Sequence, residues 1–321
     1  MHIIATFLIA VAILAGAHPA RAQGSAGPIR LLVGVTAGAS TDLVARLVAD
    51  KLQGLLGETV IVDNKPGAGQ RIAAAELKKS APDGRTIYVG ASNTFTVLPN
   101  IYGDRLEYDP VKDFTPVGRL VRFDLGFAAG PAVPAQNIKD ALAWAKANPS
   151  KATYGTPGPG TTSHFVGIMI ANATGIPLTH VPYKGGTPAI NDLMGGHVAF
   201  VVNSFADMNE QHQAGRVRIL ADVGPKRSPL DMNVPTLKES GINVAADIAI
   251  DAYAPAGVPV DQVKRLNTVL MQAINAPDVQ ERLRTYGLFP APSSPDELRV
   301  FQEVELKLWA EPIKASGFKG D

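Results

Sequence analysis

The chain has 321 residues, 46% hydrophobic and 18% charged, with a formal net charge of +1 and no cysteine. That length supports one large domain or two ordinary ones with real cores. The near-neutral balance excludes a basic nucleic-acid surface and an acidic disordered tail. Without cysteine, stability rests on core burial alone, and no lipid-modified cysteine can follow a leader.

The chain opens with "IIATFLIAVAILAGA" (residues 3–17), an apolar run followed by "HPARAQ", where Ala20, Arg21 and Ala22 supply a small-x-small cleavage pattern. Residues 1–22 are expected to be a secretory signal, with the mature protein starting near Gln23 in the periplasm. The run is short for a membrane span. Removing Arg21 with the signal leaves 29 basic and 29 acidic residues.

Strand-like and helix-like stretches then alternate. "IRLLVGV" (29–35) is a nearly continuous apolar run, as in a strand covered on both faces. "STDLVARLVADKLQGLLG" follows, with Leu43, Val44, Leu47, Val48, Leu52, Leu55 and Leu56 on one helical face and a stop at Gly57. "TVIVDN" (59–64), "RIAAAELKKS" and "RTIYVGAS" (85–92) continue as strand, helix and strand. This alternation predicts a parallel sheet.

The same order recurs in "DALAWAKAN", "ATYGT", "TSHFVGIMIANATG", "THVPY", "PAINDLMGG" and "HVAFVVNS". The final third is helical by pattern, from "VDQVKRLNTVLMQAINAP" (260–277) to "PDELRVFQEVELKLWAEPIKASG". Two α/β lobes are expected. Residues 23–120 and 248–321 form the first, with the last helices packed back on it, and residues 121–247 form the second.

Two strand-to-helix loops look alike: "GVTAGASTD" (34–42) and "YGTPGPGTTSH" (154–164). Each has glycines that admit close approach and hydroxyl residues at the helix start, Ser40 and Thr41 in one, Thr161, Thr162 and Ser163 in the other. The unpaired amides and positive dipole of a helix's first turn attract anions. No arginine or lysine is needed, and a carboxylate fits. Plain helix capping also explains either loop taken alone, and Asp42 can serve its own helix dipole.

An enzyme reading would use Ser163 and His164. Adjacent helical residues diverge by about 100°, so this pair is poorly placed for nucleophile and base. No phosphate-binding P-loop or G-x-S-x-G occurs, and the only S-x-x-K, Ser316 to Lys319, lies in the tail. His164, His180, His197 and His212 have no metal-ligand spacing, so neither metal nor cofactor is expected. Trp144 and Trp309 fall in helical patterns that suit a core.

Several segments in order resemble the Bug (Bordetella uptake gene) family, periplasmic receptors of tripartite tricarboxylate transporters. They include "STDLVARLVADKL", "VDNKPGAG", "APDGRTIYVG", "YGTPGPGTTSHF", "HVPYKGGTPAINDLMGGHV", "AGRVRIL" and "APAGVPVDQVKRLN". The resemblance implies a type II periplasmic binding protein fold, two α/β lobes with a ligand cleft between them. It implies a small carboxylate ligand, a large and a small membrane subunit as partners, and a receptor that acts as a monomer without nucleic acid. Carried over by position, the ligand residues are Thr36, Gly38, Ala39, Ser40, Thr41 and Asp42, then Ser92, Asn93 and Thr94. In the second lobe they are Gly158, Gly160, Thr161, Thr162, His164, Tyr183, Lys184, Asn203 and Asp207. Two departures stand out: Gly34, Val35, Thr36 and Ala37 replace an aromatic and prolines, and Asp251, Ala252 and Tyr253 replace an aromatic-glycine element. Both altered segments are expected to line the cleft, leaving room for an aromatic acid. A periplasmic hydrolase and a sensory subunit for a membrane kinase are the alternatives.

Overall fold

The computed structural model describes residues 27–246 and 248–320, so the expected signal at residues 1–22 lies outside the described residues. The chain begins with β1 (Ile29–Val33), α1 (Ser40–Leu56), β2 (Val60–Asn64), α2 (Arg71–Lys79) and β3 (Thr86–Ala91). Short helices α3 (Asn93–Thr96) and α4 (Leu98–Tyr102) lead to β4 (Phe114–Phe123). Next come β5 (Leu125–Ala129), α5 (Ile138–Ala147), β6 (Thr153–Thr156), α6 (Thr162–Thr174) and β7 (Thr179–Pro182). They are followed by α7 (Gly186–Met194), β8 (Phe200–Ser204), α8 (Phe205–Gln213) and β9 (Arg218–Asp222). The last elements are β10 (Ile248–Pro255), α9 (Val260–Asn275), α10 (Pro277–Arg284), β11 (Phe289–Pro290) and α11 (Pro295–Ser316).

Two sheets result, ordered β11-β4-β10-β3-β1-β2 and β7-β6-β8-β5-β9. Leu31, Leu32 and Val33 are wholly buried because helices cover both faces of β1. Along α1, Val44, Val48 and Leu52 are buried, with Ala45 and Ala49 filling between them. Leu55 is 49% exposed: it stands in the final turn, where the packed face runs out.

The expectation of parallel sheets is only half met. β1 runs parallel to β2 and β3, and β6 to β7 and β8. β10 is antiparallel to β3 and β4, and β5 to β8 and β9. Both sheets are mixed because the chain crosses from one to the other and returns. The crossings are bonded side by side: Val223 N–H donates to the Leu125 carbonyl, and Ala246 N–H to the Val223 carbonyl.

The last helices do not all return to the first sheet. α9 packs on α1 and β4, but α11 enters two cores. Its Leu298 joins Tyr88, Phe95 and Tyr253, whereas Trp309 and Ile313 join Phe127, Tyr154 and Phe165 of the second sheet. Between them lies a buried charge cluster. Arg119 of β4 donates from Nε to Asp251 Oδ1 of β10 at 2.9 Å and from Nη2 to Glu305 Oε1 of α11 at 3.4 Å. The segment expected to line the cleft is therefore inside the fold. Asp251 anchors this cluster, and the Tyr253 ring packs 4.2 Å from Phe95.

Arg119→Ala would leave two carboxylates buried beside no guanidinium, at a cost of about 3–5 kcal/mol. The expected outcome is a large fall in the urea midpoint, measured by far-ultraviolet circular dichroism. A midpoint within error of wild type would refute that role for Arg119.

Candidate ligand site

The loop residues fall into two clusters at the carboxyl ends of parallel strands, where an open α/β sheet receives ligands. The first lies between β1 and α1. Thr36, Gly38 and Ser40 are exposed, Ala39 is half-buried, and Thr41 and Asp42 are buried. Asp42 is a brace. Its Oδ2 accepts from Gly38 N–H and Arg46 Nε, and its Oδ1 from Asn64 Nδ2, all at 2.9 Å. Asn64 also donates to the Val35 carbonyl. Burial raises the Asp42 pKa, but bonds from Arg46, Gly38 and Asn64 outweigh it and hold the carboxyl below its usual range. Asp42 was expected at the ligand; its oxygens are occupied by the loop itself.

Ala39 is the N-cap of α1, and no side chain caps this helix. The amides of Ser40 and Thr41 thus open the helix without a local acceptor from a capping residue.

After β3, Ser92 is buried and bonded through its backbone, its N–H to the Ala249 carbonyl and its own carbonyl to Phe95 and Thr96. Asn93 is half-buried, and its Oδ1 has no hydrogen-bond partner. Thr94 does not reach the site. It is wholly buried, its hydroxyl paired with Tyr88 and its carbonyl with the Tyr108 hydroxyl. Tyr88 in turn donates to Gln70 Oε1 at 2.8 Å.

The second cluster lies between β6 and α6, and here the resemblance between the two loops ends. Thr161 caps α6: its Oγ1 accepts from His164 N–H and donates to the Gly158 carbonyl at 2.8 Å. Thr162 and Ser163 are buried in the first turn. His164 Nδ1 accepts from Gly160 N–H, which leaves Nε2 to carry the proton of the neutral ring. The His164 ring stacks on His180 at 3.9 Å. His180 Nε2 lies 2.7 Å from Thr156 Oγ1, whose own proton goes to the Gly158 carbonyl. Burial, aided by His164, pushes the His180 pKa down to about 4, and burial also lowers that of His164. Both rings are neutral braces.

Among the remaining candidates, Tyr183 is turned inward, its hydroxyl donating to Asp192 at 2.7 Å. Lys184 is exposed. Asn203 is buried beneath the start of α7, where a β-carbon on Gly186 would lie 2.4 Å from Asn203 Nδ2. That Nδ2 has no hydrogen-bond partner. Asp207 is exposed in the first turn of α8, yet neighbouring atoms desolvate it enough to raise its pKa. Among the described residues no group of three metal-ligating side chains occurs, and no helix is long and apolar enough to cross a membrane.

The tripartite tricarboxylate transporter family receptor matches this chain over residues 44–318. The chain belongs to that family. A Cupriavidus necator protein described as "UPF0065 protein in gbd 5'region" is 37% identical over 297 residues, covering 90% of this chain and 89% of its own. BugT of Bordetella pertussis is 30% identical, covering 98% and 95%. Among solved structures, Rpa4515 of R. palustris with adipate aligns with a TM-score of 0.76 at 29% identity, over 91% of this chain and 98% of that one. MatC of Rhodopseudomonas palustris with bound malate aligns at 0.72 and 26%, over 89% and 98%. The fold is the two-lobed α/β architecture of periplasmic binding proteins, and the family consists of solute-binding receptors rather than enzymes. The hydrolase alternative built on Ser163 and His164 falls with it.

Two supports escaped the sequence. Gln70, in "NKPGAGQ", lies against Gly34 and takes the Tyr88 hydroxyl. His180, sixteen positions from His164, reaches it only through the parallel pairing of β6 with β7.

Because the folded His180 pKa is about 4 against an ordinary 6.5, the unfolded chain takes up the proton first. This stability is complete above pH 6.5 and lost as pH falls toward 4. His180→Gln, which keeps a donor for Thr156, should show a shallower decline in melting temperature over that interval. Parallel wild-type and variant profiles would exclude the effect.

Proposed function

We propose that the protein is exported by a signal at residues 1–22 and works in the periplasm. There it captures a small organic carboxylate between its lobes and delivers it to the large and small membrane subunits of a tripartite tricarboxylate transporter. Family membership supports the receptor role, and the relatives solved with adipate and malate support the ligand class. The observation that carries the site is the start of α1, which no side chain caps although the exposed loop around it contains glycine and hydroxyls.

In this reading the amides of Ser40 and Thr41 receive the carboxylate from one lobe, and those of Thr162 and Ser163 from the other. Thr161 acts differently from Ser40: its hydroxyl is spent on the α6 cap, so Thr161→Ala weakens the helix start by about 1 kcal/mol. Hydrogen bonds to a charged group contribute about 1.5–3 kcal/mol each. Three or four therefore reach micromolar affinity, roughly 8 kcal/mol, after ordering and association are offset.

Proline tests the amides directly. Ser40 and Thr162 are the first residues of their helices, where proline removes an N–H the helix does not use. The preceding residues are already extended, with ψ of 161° at Ala39 and 160° at Thr161, as a following proline requires. A calorimetric panel of malate, adipate, benzoate and their methyl esters should yield at least one acid that binds. Ser40→Pro and Thr162→Pro should each weaken that acid roughly 10-fold or more, with the melting temperature little changed. Esters that bind as tightly as their acids, or proline variants with wild-type affinity, would overturn the assignment.

A further inference from the structure

The two ligand loops belong to different sheets, yet one short segment touches the supports of both. α11 stops at Gly317, which caps it in the left-handed conformation at φ 64°. Phe318 N–H then donates to Ser316 Oγ, which donates to the Ile313 carbonyl. This turn folds residues 317–320 back onto the body of the protein.

Phe318 lands on the second loop. Its ring meets the edge of the His164 imidazole at 5.7 Å and of Phe165 at 6.0 Å. Gly160, at φ +72°, passes so close that a β-carbon would lie 2.7 Å from the Phe318 ring. Two residues later the chain reaches α4. Gly320 is buried against Tyr102, and its carbonyl accepts from Arg105 Nη1 at 2.9 Å. Arg71 lies 3.9 Å over the Tyr102 ring and donates from Nε to the Ala68 carbonyl. Ala68 and Gln70 both hold positive φ, at 46° and 75°, a conformation that persists in residues other than glycine only where the surroundings enforce it. Gln70 presses on Gly34 at the root of the first loop.

The contacts are continuous from Gly34 through Gln70, Arg71, Tyr102, Gly320 and Phe318 to Gly160 and His164. We propose that residues 317–320 form a clasp that holds the two ligand loops in register, with Phe318 as a positioning residue that acts through Gly160 and His164. The clasp bears on ligand capture only through the reading of residues 36–42 and 158–164 as ligand loops. Its mechanical action is independent of any ligand.

The test is therefore made on ligand-free protein. The chain has no cysteine, so Gln53→Cys and Lys146→Cys, exposed on α1 and α5, take spin labels without competition. Pulsed electron resonance should show one narrow distance in the parent. Phe318→Ala should broaden it toward longer distances, and Phe318→Leu should restore most of the narrow population. Hydrogen exchange should be about tenfold faster in peptides spanning 158–164 and 66–71, with β8 unchanged. Gly320→Val, which pushes the segment off Tyr102, should reproduce both effects. If distances and exchange in Phe318→Ala and Gly320→Val match the parent, the clasp is wrong and the ligand assignment stands untouched. Exchange that rises across the whole chain, β8 included, would also overturn it, since the contact would then serve general stability alone.

Discussion

A helix long enough to enter two cores imposes a constraint on everything around it. α11 has 22 residues, so it extends about 33 Å, the breadth of a small domain. Its first half is fixed by the buried Leu298 and by the Glu305 carboxylate, and its second by apolar burial. Glu305 shares Arg119 with Asp251 inside the first sheet's body, while Trp309 and Ile313 sit among aromatics of the second. A helix is far stiffer than a loop, so where one half is placed the other follows. The crossings at Leu125, Val223 and Ala246 form the second connection, hydrogen-bonded side by side and buried at the edge of the second sheet's core. The two lobes are thus joined by a bonded crossing and by one long helix.

The loops at the strand ends inherit that frame, and each is braced by groups that carry no charge to a ligand. In the first, Asp42 gathers Gly38, Arg46 and Asn64, so the one acid in the loop and its nearest guanidinium neutralise each other. In the second, two neutral histidines stack and hand their hydrogen bonds to Thr156 and Gly160. Both devices leave the helix amides as the principal source of positive potential. In the proposed site, bracing of this kind would lower the ordering cost of binding.

Much of this was legible in the residues. Apolar continuity marks β1, and the glycine-hydroxyl loops mark the helix starts, because backbone covering and capping write directly into local composition. The antiparallel strands were harder. β4 carries Pro116, Arg119 and Arg122, and β10 carries Asp251 in its middle, so neither reads as an apolar run. Arg119 and Asp251 are tolerated because they pair with each other and with Glu305, some fifty residues beyond β10, and Arg122 pairs with Asp124. Thr94 and Tyr183 show the same dependence on the fold. A hydroxyl near a strand end looks available until its partners, Tyr88 and Asp192, are known from the fold. Local signals reveal where an amide is exposed, whereas satisfaction of a polar side chain is a tertiary fact.

On the proposed function, the neutrality of the loops also has a consequence for transport. A receptor must release what it captures, and a desolvated arginine or lysine facing the carboxylate would strengthen the bound state through a Coulomb interaction that closing the lobes makes larger still. Amides at a helix start are fixed dipoles whose pull fades within a turn. Their hold on the ligand therefore depends on both lobes being in place, and it weakens as soon as one helix start moves away. In the proposed site, splitting the donors between two lobes would make affinity a function of closure, so that opening alone would let the acid go. A charged side chain in either loop would follow the ligand on its flexible stem and blunt that dependence, which gives a physical reason for loops built from Gly, Ala, Ser and Thr.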